Sequence, residues 1–228
     1  MSEELPSLAA SRHRDRQSSD PALIRAILTQ AMIVHLGFIR DGWPVVLPFH
    51  FGLGDPGDGR GEQLIIHGST GGRAFLDAAL ETGVPVSACI SLNDGLVLGR
   101  SVYETGARYR SVVAYGYARR LPAAYRQAGL DILMNHVIPG RVDEVRPPSA
   151  KELDATALLG LPLDHAAAKV ADTNTGDTPG DGEDRAIWAG IVPLRLVALP
   201  PVPSPETAGS TQVPASVRAF LAVHQGYN

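Results

Sequence analysis

The residues with the clearest chemical potential lie between an apolar run, Leu64-Ile65-Ile66, and a segment with apolar residues at helical spacing, Phe75, Leu76, Ala79 and Leu80. Between them stands His67-Gly68-Ser69-Thr70-Gly71-Gly72-Arg73. The pattern predicts a strand, a tight turn and a helix over about 70–81. Such a junction is an anion site: the first helical turn leaves N–H groups without intrahelical partners and carries partial positive charge, and glycine lets the main chain approach a phosphate. Arg73 adds a fork of donors, and the Ser69 and Thr70 hydroxyls can donate as well. The same spacing also describes an ordinary N-cap followed by an exposed arginine, and spacing alone leaves both readings open. A P-loop is excluded because no Lys-Ser or Lys-Thr follows the glycines, and G-x-G-x-x-G is absent.

Other reactive side chains form no recognisable set. His35, His136 and His165 have neither metal-ligand spacing nor a cysteine partner, so no metal is expected, and no hydrolytic triad stands out. The single cysteine, Cys89, lies in the apolar run Val84 to Leu92 and is expected to be a buried structural thiol. One cysteine excludes an internal disulfide and fits a reducing compartment.

These groups need a scaffold, and the flanking sequence predicts one. Residues 1–19 are polar and aperiodic and read as a mobile arm. Asp20-Pro21 opens an amphipathic helix bearing Leu23, Ile24, Ile27, Leu28 and Ala31. Met32 to Ile39 and Trp43 to Leu53 read as a hairpin around Asp41-Gly42, with Pro44 and Pro48 restricted to an edge or bulge. Pro48 marks a place where the strand faces a ligand instead of a neighbour. After the loop 54–62 and the strand to His67 come two strands around Asn93-Asp94-Gly95 and a longer one, Tyr109 to Leu121. In the last, Ser111, Val113, Tyr115 and Tyr117 share one face and Val112, Ala114 and Gly116 the other. Pro122 to Val137 is helical, Ser149 and Glu152 have capping-box spacing, and Ala157 to Leu163, Ala166 to Ala171 and Ala186 to Leu199 have strand character. Residues 172–185 are flexible by composition. The fold class is therefore mainly β with flanking helices, an antiparallel barrel of six or more strands. The expected partition is an arm over 1–19, one domain over 20–200, and a Pro-rich linker with a terminal helix over 201–228.

Of the 228 residues, 44% are hydrophobic and 19% charged, which suits a soluble globular protein with a sizeable core. The net charge of −4, without a basic cluster interleaved with aromatics, argues against nucleic acid as a partner. No signal-like or membrane-spanning apolar run is seen, so no membrane association and a cytoplasmic location are expected.

Taken in order, the leading helix, the meander, His67 to Arg73, Asp94 to Ser101, Tyr109-Arg110-Ser111-Val112-Val113, Pro139-Gly140-Arg141, Glu144 to Pro148 and Trp188 to Leu194 carry a resemblance. Over residues 20–200 the chain resembles the FMN-binding split β-barrels of the pyridoxamine 5'-phosphate oxidase superfamily, and within them the nitroimidazole-reductase-like flavin-nucleotide-binding branch. The resemblance implies a homodimer with FMN at its interface and electron transfer between a small-molecule donor and a small organic acceptor. It implies phosphate and ribityl contacts at His67, Gly68, Ser69, Gly72 and Arg73. It places the isoalloxazine along Val46, Leu47, Pro48, Phe49 and His50, and brings Arg110 and Ser111 near the flavin. His50 reads equally as a neighbour of the flavin and as a solvated rim, and Trp188 as a pocket cap or core residue. Many relatives carry a second basic residue where Ala74 stands, so Arg108, Arg110 or Lys169 must supply that cation, or the helix N-terminus acts alone. A flavin carrier or sensor without turnover and a haem-binding split barrel are the alternative functions.

Overall fold

A computed structural model describes residues 4–9, 12–69, 82–175, 185–209 and 211–224. Among them, nine strands form a single antiparallel sheet. β1 is Gln17–Ser18, β2 Ile33–Arg40, β3 Trp43–Gly54, β4 Gln63–Ser69, β5 Val84–Leu98, β6 Gly106–Arg120, β7 Thr156–Pro162, β8 Ala166–Ala171 and β9 Gly190–Pro193. The order β6-β7-β4-β3-β2-β5 together with a β5–β6 pairing joins six strands into a ring, a split barrel in which β3 changes partners midway. Residues 43–50 of β3 pair with β2, and residues 51–54 pair with β4.

Local chemistry explains the elements. Asp20 caps α1, Pro21–Gln30, by accepting the Ala22 N–H at 3.0 Å, with Pro21 at the first position where no N–H is needed. Ile24, Ile27 and Leu28 of α1 are buried and plug the barrel. Asp41 and Gly42 both have positive φ, 51° and 78°, as a two-residue hairpin turn requires. Such a turn makes Arg40 and Trp43 a hydrogen-bonded pair, so the main chain of Pro44, Val46 and Pro48 points away from β2. The two prolines therefore sit on the unpaired edge that residues 43–50 form among the described residues.

The outer faces of the two halves differ. Over β4, β7 and the second half of β3 lies α2, Arg126–Val137, packed on Ile65, Leu121 and Leu158 through Leu130 and Ile132. The outer face of β2, β5, β6 and the first half of β3 has no helix over it among the described residues. The short α3, Ala150–Ala155, carries the expected capping box of Ser149 and Glu152, and α4, Ala215–His224, is held where the Glu144 carboxylate accepts the Ser216 N–H at 2.8 Å.

Several expectations are corrected. Residues 84–98 form one continuous strand, because Asn93-Asp94-Gly95 makes a bulge instead of a turn. The extra residue reverses the alternation: Val86, Ala88 and Ile90 point inward before it, Val97 after it, and Leu96 outward. Cys89 is exposed, since alternation places it outward with Ser87 and Ser91. Residues 14–18 belong to the fold as a 3-10 turn and as β1, paired to β8. Only Gly190–Pro193 of the region 186–199 is strand. Trp188 is 64% exposed and does not join the core; its ring lies against Gly190. The alternation read for β6 holds, with Val112 and Ala114 buried and Ser111, Val113 and Tyr115 outward. The helix expected over about 70–81 lies outside the described residues.

Candidate functional site

The site expected from the sequence maps to the place where β3 passes from β2 to β4. On its outer face stand Val46, 63% exposed, with Pro48 and His50; Leu47 is partly exposed at the barrel end, and Phe49 packs against the core. His35 lies opposite Pro48 on one side and Cys89 on the other. Extending the Phe51–Ile66 pairing by one residue sets His50 beside His67, side chains outward. Gly68 and Ser69 complete β4, opposite Ala157 and Thr156. Gly72 and Arg73 lie outside the described residues.

The histidines are in distinct environments. The Nδ1–H of His50 donates to the Met32 carbonyl at 3.2 Å, since a carbonyl only accepts. Partial burial lowers the His67 pKa below the usual imidazole value, and the nearby His50 ring adds to the effect. His136 on α2 donates from Nε2 to the Ala31 carbonyl at 2.8 Å and rests against the Phe51 ring, 4.5 Å between centroids. Burial outweighs that bond and lowers the His136 pKa as well.

A depressed folded-state value has a definite sign. The stabilisation from neutral His136 and His67 is fully present above the unfolded value of about 6.5 and is lost as pH falls through the lower folded values. We expect the urea midpoint to fall between pH 7 and pH 5. His136→Gln, which keeps a donor for Ala31 and cannot titrate, should reduce that dependence; an unchanged pH profile in the variant would remove His136 as a cause.

Arg110 and Ser111 are adjacent on β6 and so point to opposite faces, and the structure does not bring Arg110 to the outer face. Its guanidinium donates to both Asp94 carboxylate oxygens, at 2.8 and 2.7 Å, and to Gln30 at 3.0 Å. The paired carboxylate raises its pKa. Arg108 is equally committed, to the Thr173 carbonyl, Asn174 and Asp172. Of the three cations considered for a second phosphate contact, Lys169 alone reaches the outer face, next to Ser111 on β6, with its ammonium 5.8 Å from the Tyr109 ring centre. Ser111, Val113, Tyr115 and Lys169 line a recess of about 220 Å³ that is closed on one side by residues 7–9. That segment is held by His165 donating to the Pro6 carbonyl at 2.7 Å and Gln17 donating to the Leu8 carbonyl.

His35 and Cys89 both point outward. Period-two alternation from Val34-Leu36 and Ala88-Ile90 was the available signal. No group of three His, Cys, Asp or Glu side chains suited to a metal ion occurs among the described residues.

A family model for pyridoxamine 5'-phosphate oxidase matches residues 20–170, which span β2 to β6, β7 and nearly all of β8. The chain belongs to the pyridoxamine 5'-phosphate oxidase family. The fold agrees: family split barrels are antiparallel, as this ring is. The FAD- and haem-binding protein from Mycobacterium smegmatis is 34% identical, with a TM-score of 0.80 over 90% of this chain and 96% of the other. The flavocytochrome Anf3 from Azotobacter vinelandii is 30% identical, with a TM-score of 0.81 over 92% and 94% of the two chains. A candidate 5-nitroimidazole antibiotic resistance protein from Bacteroides thetaiotaomicron is 21% identical, with a TM-score of 0.52 over 68% and 86%, and shares the fold. No curated protein matches. Within this pyridoxamine 5'-phosphate oxidase barrel, no helix among the described residues is long and apolar enough to cross a membrane.

Proposed function

We propose that this protein is a redox protein that binds a flavin nucleotide and a haem, acting as a homodimer that passes electrons between a small-molecule donor and a small acceptor. The carrying observation is that two relatives at 34% and 30% identity, each matched over at least 90% of both chains, are an FAD- and haem-binding protein and a flavocytochrome. Flavin binding and haem binding, alternatives when only the sequence is considered, thus combine in one reading. The sequence reading names FMN; the relative at 34% identity binds FAD, and we assign FAD for that reason.

When bound, a flavin supplies exchange between two-electron and one-electron chemistry and a haem supplies a one-electron centre. This chain's residues supply placement. The unpaired edge of β3 presents main-chain groups at Val46 and Pro48 to a flavin ring. His67, Gly68 and Ser69 lead into Gly72 and Arg73, which we assign to the phosphate end. Exposed Ile33, Ile39 and Val46 share the outer face, and a second copy would bury them. In that arrangement Lys169 and Ser111 face the interface.

The test is the absorption spectrum of purified protein, with heat release and chromatography of the flavin and extraction of the haem. Flavin and haem bands with released FAD are expected. Released FMN would restore the cofactor named from the sequence, and failure to take up either added FAD or added hemin would overturn the proposal. For the dimer, Ile39→Lys combined with Val46→Lys should give a monomer in sedimentation; an unaltered dimer would move the interface elsewhere.

A further inference from the structure

We propose that Nε2 of His50 is an axial ligand of the haem iron. The assignment rests on the flavin and haem reading above and names the residue that reading requires. An iron-binding imidazole must be neutral, must present one ring nitrogen as a lone pair, and is held in place by a hydrogen bond from the other nitrogen. His50 meets the two geometric conditions. Its Nδ1 donates to the Met32 carbonyl at 3.2 Å, so in the neutral ring Nε2 carries the free lone pair. The side chain is exposed, on the outward face that also carries Val46 and Pro48, at the point where β3 leaves β2 for β4.

The other described histidines fit less well, His13 standing at the 3-10 turn ahead of β1 with no side-chain cap hydrogen bond. His136 is half-buried against Phe51 and spends Nε2 on Ala31. His165 spends Nε2 on Pro6 and lies beside Tyr115, and His224 stacks on Phe220 at the end of α4. His35 faces outward but has no orienting hydrogen bond among the described residues. His67 falls beside His50 when the Phe51–Ile66 pairing of β3 and β4 is extended by one residue. Two axial ligands approach a haem from opposite faces, so adjacent imidazoles on one surface cannot both bind one iron. His67 is left to the flavin phosphate end, and the sixth iron position falls to a group outside this strand pair.

Wild-type protein and His50→Ala, His67→Ala and His35→Ala variants are loaded with hemin and examined by absorption and electron paramagnetic resonance, with circular dichroism recorded as a measure of intact fold. For His50→Ala we expect loss of the histidine-ligated ferric signal and at least about a tenfold weaker retention of haem, by analogy with losses from weaker perturbations of a ligand shell. Added imidazole should restore the signal. His67→Ala and His35→Ala should keep it. A wild-type spectrum in His50→Ala, or loss of the signal in His35→Ala or His67→Ala instead, overturns the assignment while leaving haem binding in place. Wild-type protein that takes up no hemin overturns the haem reading itself, and the ligand assignment with it. If His50→Ala loses flavin as well as haem and circular dichroism shows unfolding, His50→Gln replaces it, and retention of the wild-type iron spectrum in that variant counts against the proposal.

Discussion

Gly52→Val is expected to cost a large part of the folding free energy. A Cβ at residue 52 would lie 2.6 Å from the Leu133 Cα and 2.7 Å from its nitrogen, inside the contact distance of main-chain atoms in α2. A flexible side chain could swing aside, but a helix backbone must move as a body. Its displacement would open the packing of Ile132 and Leu130 on Ile65, Leu121 and Leu158. Overpacking in a well-filled core usually costs about 1–3 kcal/mol. With main chain as the obstacle and a valine inserted, we expect about 3–5 kcal/mol, against total stabilities of about 5–15 kcal/mol for typical domains. The check is a urea titration, in which the midpoint should drop with little change in slope. Gly106→Ala is the control: nothing lies within 4 Å of its Cβ position, and its stability should stay within about 0.5 kcal/mol of wild type. Equal stability of Gly52→Val and wild type would mean that α2 does not lie against β3 as described.

Arg73→Ala is expected to raise the flavin dissociation constant by about 10- to 150-fold, the equivalent of the roughly 1.5–3 kcal/mol that a hydrogen bond to a charged group contributes. In the sequence Arg73 follows the Gly71-Gly72 pair, a pattern that predicts an anion site. The structure sharpens it by removing competitors, since Arg108 and Arg110 already hold acidic and amide partners. Arg110→Ala should therefore leave flavin affinity near wild type and lower stability instead, because Asp94 and Gln30 lose the group that ties β5 and α1 to β6. Fluorescence titration of both variants separates the cases. Unchanged affinity in Arg73→Ala with a large loss in Arg110→Ala would reverse the two assignments.

What the sequence determined by itself was whatever depends on a few neighbouring residues. Asp20-Pro21, Asp41-Gly42 and the Ser149–Glu152 spacing each satisfy main-chain groups within one turn, and each appears where it was read. The alternation of β6 was equally legible, because period-two burial is written in successive residue types. The antiparallel class followed from these pieces, and Pro44 and Pro48 announced an edge that the register of β3 then located. Only the tertiary structure decided the rest, because the deciding partners are far apart along the chain. Asn93-Asp94-Gly95 has the composition of a turn, yet β6 pairs on both sides of it and β9 joins beyond it, so the ladder continues through a bulge. Residues 17–18 look like a polar arm until β8, about 150 residues later, offers an edge. Arg110 reads as a ligand group until the fold sets Asp94 and Gln30 beside it. His50 remained balanced between rim and site in the sequence, and the Met32 carbonyl across the hairpin is what orients its ring. A residue type states which bonds a side chain can make; long-range pairing determines which partner is near enough to make them.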